Sequence, residues 1–101
     1  MSKRDQAMQL LRECIQEFGE QTGESYELQE NMRLIGPDSP VDSLGLVMII
    51  TAFEAKLNET FNVELVLANE KAMSMSRSPF RSLGSLADYA VELLDEADVK
   101  A

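Results

Sequence analysis

The sequence predicts an all-α protein, a small bundle of three main helices with a short additional helix and a long loop after the first helix. In three separate segments, apolar residues recur at intervals of three and four, the spacing of one face of an α-helix. The 101 residues suffice for one domain with one modest core. We therefore expect a single domain over residues 1–101, with its core between about residues 3 and 95 and a frayed acidic C-terminal tail.

The first helix is expected from Lys3 to Phe18, with Gly19 as its C-terminal stop. The only cysteine, Cys14, lies on the apolar face, where a buried and inert thiol is expected. A single cysteine forms no intramolecular disulfide, which fits a reducing cytosol. The apolar face comprises Ala7, Met8, Leu11, Cys14, Ile15 and Phe18.

Residues 19–40 form a long polar connection. The pattern allows a helical turn between Leu28 and Leu34, and a stiff turn at residues 37–40, which include Asp38, fixes the entry into the second helix. Scattered apolar residues are expected to pack under the helices: Tyr26, Leu28, Met32, Leu34 and Ile35.

The second helix is expected from Ser43 to Phe61 and has two apolar stripes. A helix that is apolar nearly all round is either buried on both sides or binds something, and in so small a domain we favour binding. The expected core stripe comprises Leu46, Ile50, Phe53, Leu57 and Phe61, flanked by Val47 and Ile49. The second stripe comprises Leu44, Met48, Thr51 and Ala55.

The C-terminal third should contain a turn, helical in the simplest case, over residues 67–72 and a last helix that ends near Ala97. Ser82 or Ser85 can cap that helix, with Asp88 as a capping-box-like acid. In the loop between them, the side chains of Met73, Met75 and Phe80 form a lid over a bound hydrocarbon chain, make a second contact with a partner, or pack into the core. The expected core face of the last helix comprises Leu86, Tyr89, Ala90, Leu93 and Leu94.

Charge and composition exclude several classes of function. With 18 acidic and 9 basic residues the formal net charge is −9, which disfavours nucleic acid and anionic membranes as partners. The negative charge favours proteins with basic surfaces as partners, or it serves solubility alone. The sequence contains no histidine, so we expect no enzymatic activity and no metal site. No apolar run approaches the ~20 residues of a membrane helix, and we expect a cytoplasmic monomer.

Ser43 lies where a loop becomes the second helix. Asp42 and Ser43 are both good N-cap residues, and capping alone could explain them. The same position also suits an attached phosphodiester, because free backbone N–H groups and the positive helix end stabilise an anion. A catalytic serine would need a base that a chain without histidine does not conventionally offer. The residue is therefore either a cap or a covalent attachment point.

Three segments resemble acyl carrier proteins and their peptidyl and D-alanyl carrier relatives. Val41-Asp42-Ser43-Leu44, followed by Val47, resembles the attachment motif of that family. Residues 61–65 are similar to the family's break after the second helix, and residues 82–89 to the opening of its last helix. The three matches occur in the family's order and extend over most of the chain.

This resemblance implies an acyl-carrier-like bundle in which Ser43, within the Asp42-Ser43 pair, is esterified by 4′-phosphopantetheine. A phosphopantetheinyl transferase would supply that arm from coenzyme A. The thiol of the arm would then carry an acyl group, as a thioester, between acyl-activating and acyl-transferring enzymes. The second stripe, Leu44, Met48, Thr51 and Ala55, corresponds to the family's docking face.

Some residues depart from the family's pattern. Pro40 stands where glycine is common, and Met48 and Ala55 stand where carboxylates are common, which implies apolar docking in a specialised lipid or secondary-metabolite pathway. The segment from residue 68 to residue 81 is also longer than usual. An aminoacyl, peptidyl or D-alanyl carrier remains an alternative. So does an unmodified helical interaction module in which Ser43 is only a cap.

Overall fold

The computed structural model describes residues 2–37, 39–69, 72, 74 and 78–100, with residues 98–100 described in their backbone only. These residues contain three α-helices and no β-strand: α1 (Lys3–Thr22), α2 (Ser43–Phe61) and α3 (Leu83–Lys100). The predicted all-α helical bundle is therefore confirmed. None of these helices is both long and apolar enough to span a bilayer.

Helix α1 is central to the bundle, because it packs against both α2 and α3. No Cα atom of α2 lies within 8 Å of a Cα atom of α3. All three helices contribute apolar side chains to one core, and burial of such side chains is the main favourable term in folding. Fully buried members of this core include Leu11, Ile15, Phe53, Leu57 and Leu86.

Helix α1 is one turn longer than the sequence predicted. Ser2 and Asp5 form a capping box at its start, and Gly23 ends it in the left-handed conformation with a φ of 77°. The prediction that Gly19 ends the helix was wrong, because Gly19 is buried within its last turn. The returning chain explains the glycine: a Cβ atom on Gly19 would lie 2.6 Å from the carbonyl oxygen of Glu24.

The long connection after α1 is held against the start of α3 by backbone hydrogen bonds. The amide of Leu34 donates to the carbonyl of Arg81 at 3.0 Å, and the amide of Leu83 donates to the carbonyl of Met32 at 3.0 Å. Met32 and Leu34 are buried, as predicted, whereas Ile35 is 38% exposed, so its predicted burial was wrong. The region from residue 28 to residue 34 forms this extended pairing and a hydrogen-bonded turn instead of helix.

Arg4 joins α1 to both the connection and α3. Its Nε donates to Asp88 at 2.7 Å, and its Nη2 donates to Glu30. These hydrogen bonds, the one to Asp88 first, raise the pKa of the Arg4 guanidinium above its ordinary value. The prediction that Asp88 acts in a capping box was therefore wrong, since this carboxylate pairs with a cation on α1.

The start of α3 is capped by two serines. The amide of Ser85 donates to Ser82 Oγ at 3.2 Å, and the amide of Ser82 donates to Ser85 Oγ at 3.0 Å. This exchange is a capping box in which a second serine takes the place of the usual acid. The helix continues to Lys100, three residues past its predicted end near Ala97.

The turn predicted to be helical over residues 67–72 is not helical at residues 67–69, and residues 70 and 71 lie outside the described residues. Residues 67–69 are bends, and Ala72 and Ser74 are the described residues of the segment that follows. Met73 and Met75 lie outside the described residues. Phe80 is half-buried and packs edge-on against Tyr89, with 6.2 Å between ring centroids, so this side chain packs on the body of the protein.

Candidate functional site

The entry into α2 is fixed by a turn centred on Ser39. The amide of Ser39 donates to the carbonyl of Gly36 at 3.1 Å, and Gly36 has a φ of 97°, which favours glycine. Ser39 Oγ donates to the carbonyl of Val41 and accepts from its amide. Asp38, part of the predicted stiff turn, lies outside the described residues. These contacts set the direction in which the chain reaches α2.

Asp42 is the N-cap of α2. Its Oδ1 accepts a hydrogen bond of 2.7 Å from the amide of Gly45, and its carbonyl accepts from the amide of Leu46 at 2.9 Å. Ser43 is the first helical residue. Its side chain is exposed and forms no hydrogen bond to the described part of the chain. Capping therefore explains Asp42 but leaves the Ser43 hydroxyl without a structural role.

The first turn of α2 offers donors for an anion. The amides of Ser43 and Leu44 donate to no other residue that the structure describes, as expected at a helix start. Free amides at the positive end of a 19-residue helix favour a bound anion. The chemistry of these donors, next to an exposed hydroxyl, fits a phosphodiester attached through Ser43.

Gly45 seats this turn directly on α1. A Cβ atom on Gly45 would lie 2.7 Å from Cγ1 of Val41, 2.8 Å from Cζ of Phe18 and 3.0 Å from Oδ1 of Asp42. Distances this short are incompatible with any side chain unless these neighbours move. The glycine thus lets the start of α2 approach α1 closely, so that Ser43 projects from a well-packed turn. No role was predicted for Gly45, although its place one turn after the cap was an available signal.

The buried face of α2 is rotated relative to the prediction. Gly45, Ile49, Phe53 and Leu57 are the buried residues. The other predicted core positions are only half-buried, and Val47 is 58% exposed, so its placement beside the core was wrong. Val47 lies roughly 160° around the helix from Ile49, and the core centres on the Ile49 side. The predicted core residues that prove half-buried are Leu46, Ile50 and Phe61.

An apolar face of α2 remains exposed, beginning one residue after Ser43. Leu44 is 69% and Met48 47% exposed, and Thr51 and Ala55 are exposed as well. All four residues of the predicted second stripe thus lie at the surface, so α2 is not buried on both sides. Val47 also belongs to this surface, and its spacing of four from Thr51 could have shown it. We call these five residues the α2 face.

The C-terminal half of α2 binds its own chain. After Asn62 ends the helix with a φ of 55°, residues 63–67 turn back along α2. The amide of Leu67 donates to Glu54 at 3.0 Å, and Asn58 both donates to and accepts from the backbone of Leu65. The Glu54 carboxylate is therefore engaged within the fold, which leaves the α2 face with an apolar surface next to Ser43.

The thiol of Cys14 is another possible nucleophile, in addition to the hydroxyl of Ser43. Its side chain is 2% exposed, and burial raises the pKa of its thiol to about 11. The predicted buried, inert thiol agrees with both observations. Among the described residues, no cluster of three or more possible metal ligands occurs.

The thiol of Cys14 should react slowly in the folded protein. At pH 8, a thiol with a pKa near 11 has roughly 10²-fold less thiolate than an unfolded cysteine with a pKa of about 8.5, and burial adds a steric barrier. We therefore expect Cys14 to react with a chromogenic disulfide reagent at least roughly 10²-fold faster in denaturant than in buffer. Similar rates in both conditions would contradict it.

No protein-family model, curated protein or solved structure matches the chain. The start of α2 and the α2 face therefore provide the structural observations that bear on function.

Proposed function

We propose that the chain is a carrier protein whose Ser43 is esterified by 4′-phosphopantetheine. One observation supports this above all others: Asp42 caps α2 by itself, which leaves the Ser43 hydroxyl exposed, at the first helical residue and without a hydrogen-bond partner among the described residues. A serine that served only as a cap would make the bond that Asp42 makes. The resemblance of residues 41–44 to the carrier attachment motif points to the same atom.

The attachment is a phosphoryl transfer that a separate transferase would catalyse. Ser43 Oγ attacks the phosphorus of coenzyme A that bears the pantetheine, so that the Oγ–P bond forms. The P–O bond of the pyrophosphate breaks, adenosine 3′,5′-bisphosphate leaves with the bonding pair, and the serine proton passes to the transferase. The unpartnered amides of Ser43 and Leu44 supply donors for the new phosphodiester.

The proposed role is delivery of cargo. When bound, the arm supplies a thiol that holds an acyl group as a thioester, and the chain presents it to acyl-activating and acyl-transferring enzymes. The α2 face lies beside the attachment point and offers partners an apolar surface, since Leu44, Val47 and Met48 are all about half exposed or more. The net charge of −9 adds attraction toward basic surfaces around that contact. An aminoacyl or peptidyl cargo is the alternative within this class.

A helical interaction module is the second candidate, and the α2 face favours it independently of Ser43. Exposed large apolar side chains in a cluster mark interaction sites whether or not a neighbouring serine is modified. In that case Ser43→Ala leaves partner binding intact, whereas in a carrier it removes the cargo.

Intact mass spectrometry tests the proposed function. Folded protein is incubated with coenzyme A, Mg²⁺ and a broad-specificity phosphopantetheinyl transferase, and a gain of one 4′-phosphopantetheine is expected. Fragmentation of the modified peptide should place the added mass on Ser43. An unchanged mass with several transferases would overturn the proposal and favour the interaction module.

A further inference from the structure

A groove of about 210 Å³ lies between the end of α1, the connection and the turn into α2. Phe18 and Tyr26 form one side of it, and Val41 and Asp42 form the side nearest α2. The two rings are nearly parallel, with 6.5 Å between centroids and 18° between planes. Each ring is only half-buried, so aromatic surface remains accessible.

This groove is contiguous with the proposed attachment site. Asp42, part of its wall, is the residue directly before Ser43. Phe18 also reaches the first turn of α2, because its Cζ lies 2.8 Å from the point that a Cβ atom of Gly45 would occupy. A group tethered to Ser43 therefore meets the groove at a high effective concentration, since its binding is intramolecular.

The residues that line the groove determine which part of the proposed 4′-phosphopantetheine arm can bind there. Phe18, Tyr26 and Val41 provide apolar surface, while Glu24 and Asp42 are acidic and no lining residue is cationic. An anionic phosphate is disfavoured there and is better placed at the free amides of α2. An uncharged group with methyls and hydrogen-bonding atoms fits a site of this mixed character.

We propose that this groove holds the uncharged pantoyl part of the arm attached to Ser43, with its paired methyl groups against Phe18 and Tyr26. The proposal rests on the proposed function and adds to it a position for the arm on the α1 side of the attachment site. It leaves the α2 face clear for a partner, because none of the five residues of that face lines the groove.

Nuclear magnetic resonance tests the position of the arm. Labelled protein is modified with an unlabelled arm, complete modification is verified by mass, and isotope-filtered spectra record contacts between arm and protein. We expect cross-peaks from the two arm methyls to the rings of Phe18 and Tyr26, and an upfield shift of both methyl resonances from the ring currents. If fully modified protein showed methyl cross-peaks only to residues outside the groove, or none at all, the proposed position of the arm would be wrong. The proposed function would still stand.

A matched pair of variants completes the test. Tyr26 and Leu28 are both half-buried side chains of the connection, but only Tyr26 lines this groove. Tyr26→Ala should abolish the methyl contacts and return the methyl resonances to their positions in free coenzyme A, while Leu28→Ala keeps both. If the wild type takes up no arm at all, the proposed function itself fails, and the mass measurement distinguishes that outcome.

Discussion

Ser43→Ala is expected to abolish modification while the free energy of unfolding changes by less than about 0.5 kcal/mol. Only an exposed hydroxyl is removed, and it makes no hydrogen bond to the described residues. Intact mass after treatment with coenzyme A and transferase measures the first effect, and urea denaturation measures the second. The two measurements together separate loss of chemistry from loss of fold.

Two control variants sharpen this result. Ser25→Ala removes another exposed serine and should leave both modification and stability unchanged. Asp42→Ala removes the N-cap bond to the amide of Gly45 and should lower the free energy of unfolding by about 1 kcal/mol. If Ser43→Ala destabilised the protein as much as Asp42→Ala does, the hydroxyl would have a structural role and the main support for the carrier function would fail.

Phe53→Ala is expected to lower the free energy of unfolding by about 3–5 kcal/mol. Phe53 has no exposed surface and is among the largest fully buried side chains. Its truncation removes apolar burial and leaves a cavity that the surrounding helices fill only in part. The free energy of unfolding from urea denaturation, followed by circular dichroism, measures the loss.

Val47→Ala is the matched control on the same helix. Val47 is 58% exposed, so its truncation should change the free energy of unfolding by no more than about 0.5 kcal/mol. Comparable losses for the two variants would show that the α2 face is covered in solution, as in a self-associated protein.

The elements with local sequence signals were predictable. The bounds of α2 agree with the prediction because a cap precedes its apolar pattern and Asn62, in the left-handed conformation, ends it. The end of α1 was predicted wrongly, because Gly19 does not stop the helix. Its lack of a side chain instead allows the close approach of Glu24. Such a contact depends on where a distant part of the chain returns, and no local pattern reveals it.

The candidate site was predictable in its position but not in its division of roles. The sequence places Asp42 and Ser43 together at a helix start, and either residue could cap it. Only the hydrogen bond from the amide of Gly45 to Asp42 decides between them. The groove could not be predicted either, because Phe18 and Tyr26 meet Val41 through tertiary packing that periodicity does not encode.

The pairing of the connection with the start of α3 closes a ring of chain that contains all of α2. The paired segments are roughly fifty residues apart, and the length-dependent part of that closure costs about 3.5 kcal/mol of chain entropy. Helices form from local contacts, whereas this pairing must first overcome the entropy of closing a long loop, so ring closure is the slower event. During synthesis, Ser43 and α2 are joined to the growing chain before residues 81–84 exist. The segment that leads the chain to Ser43 is therefore among the last parts of the molecule to reach its final structure.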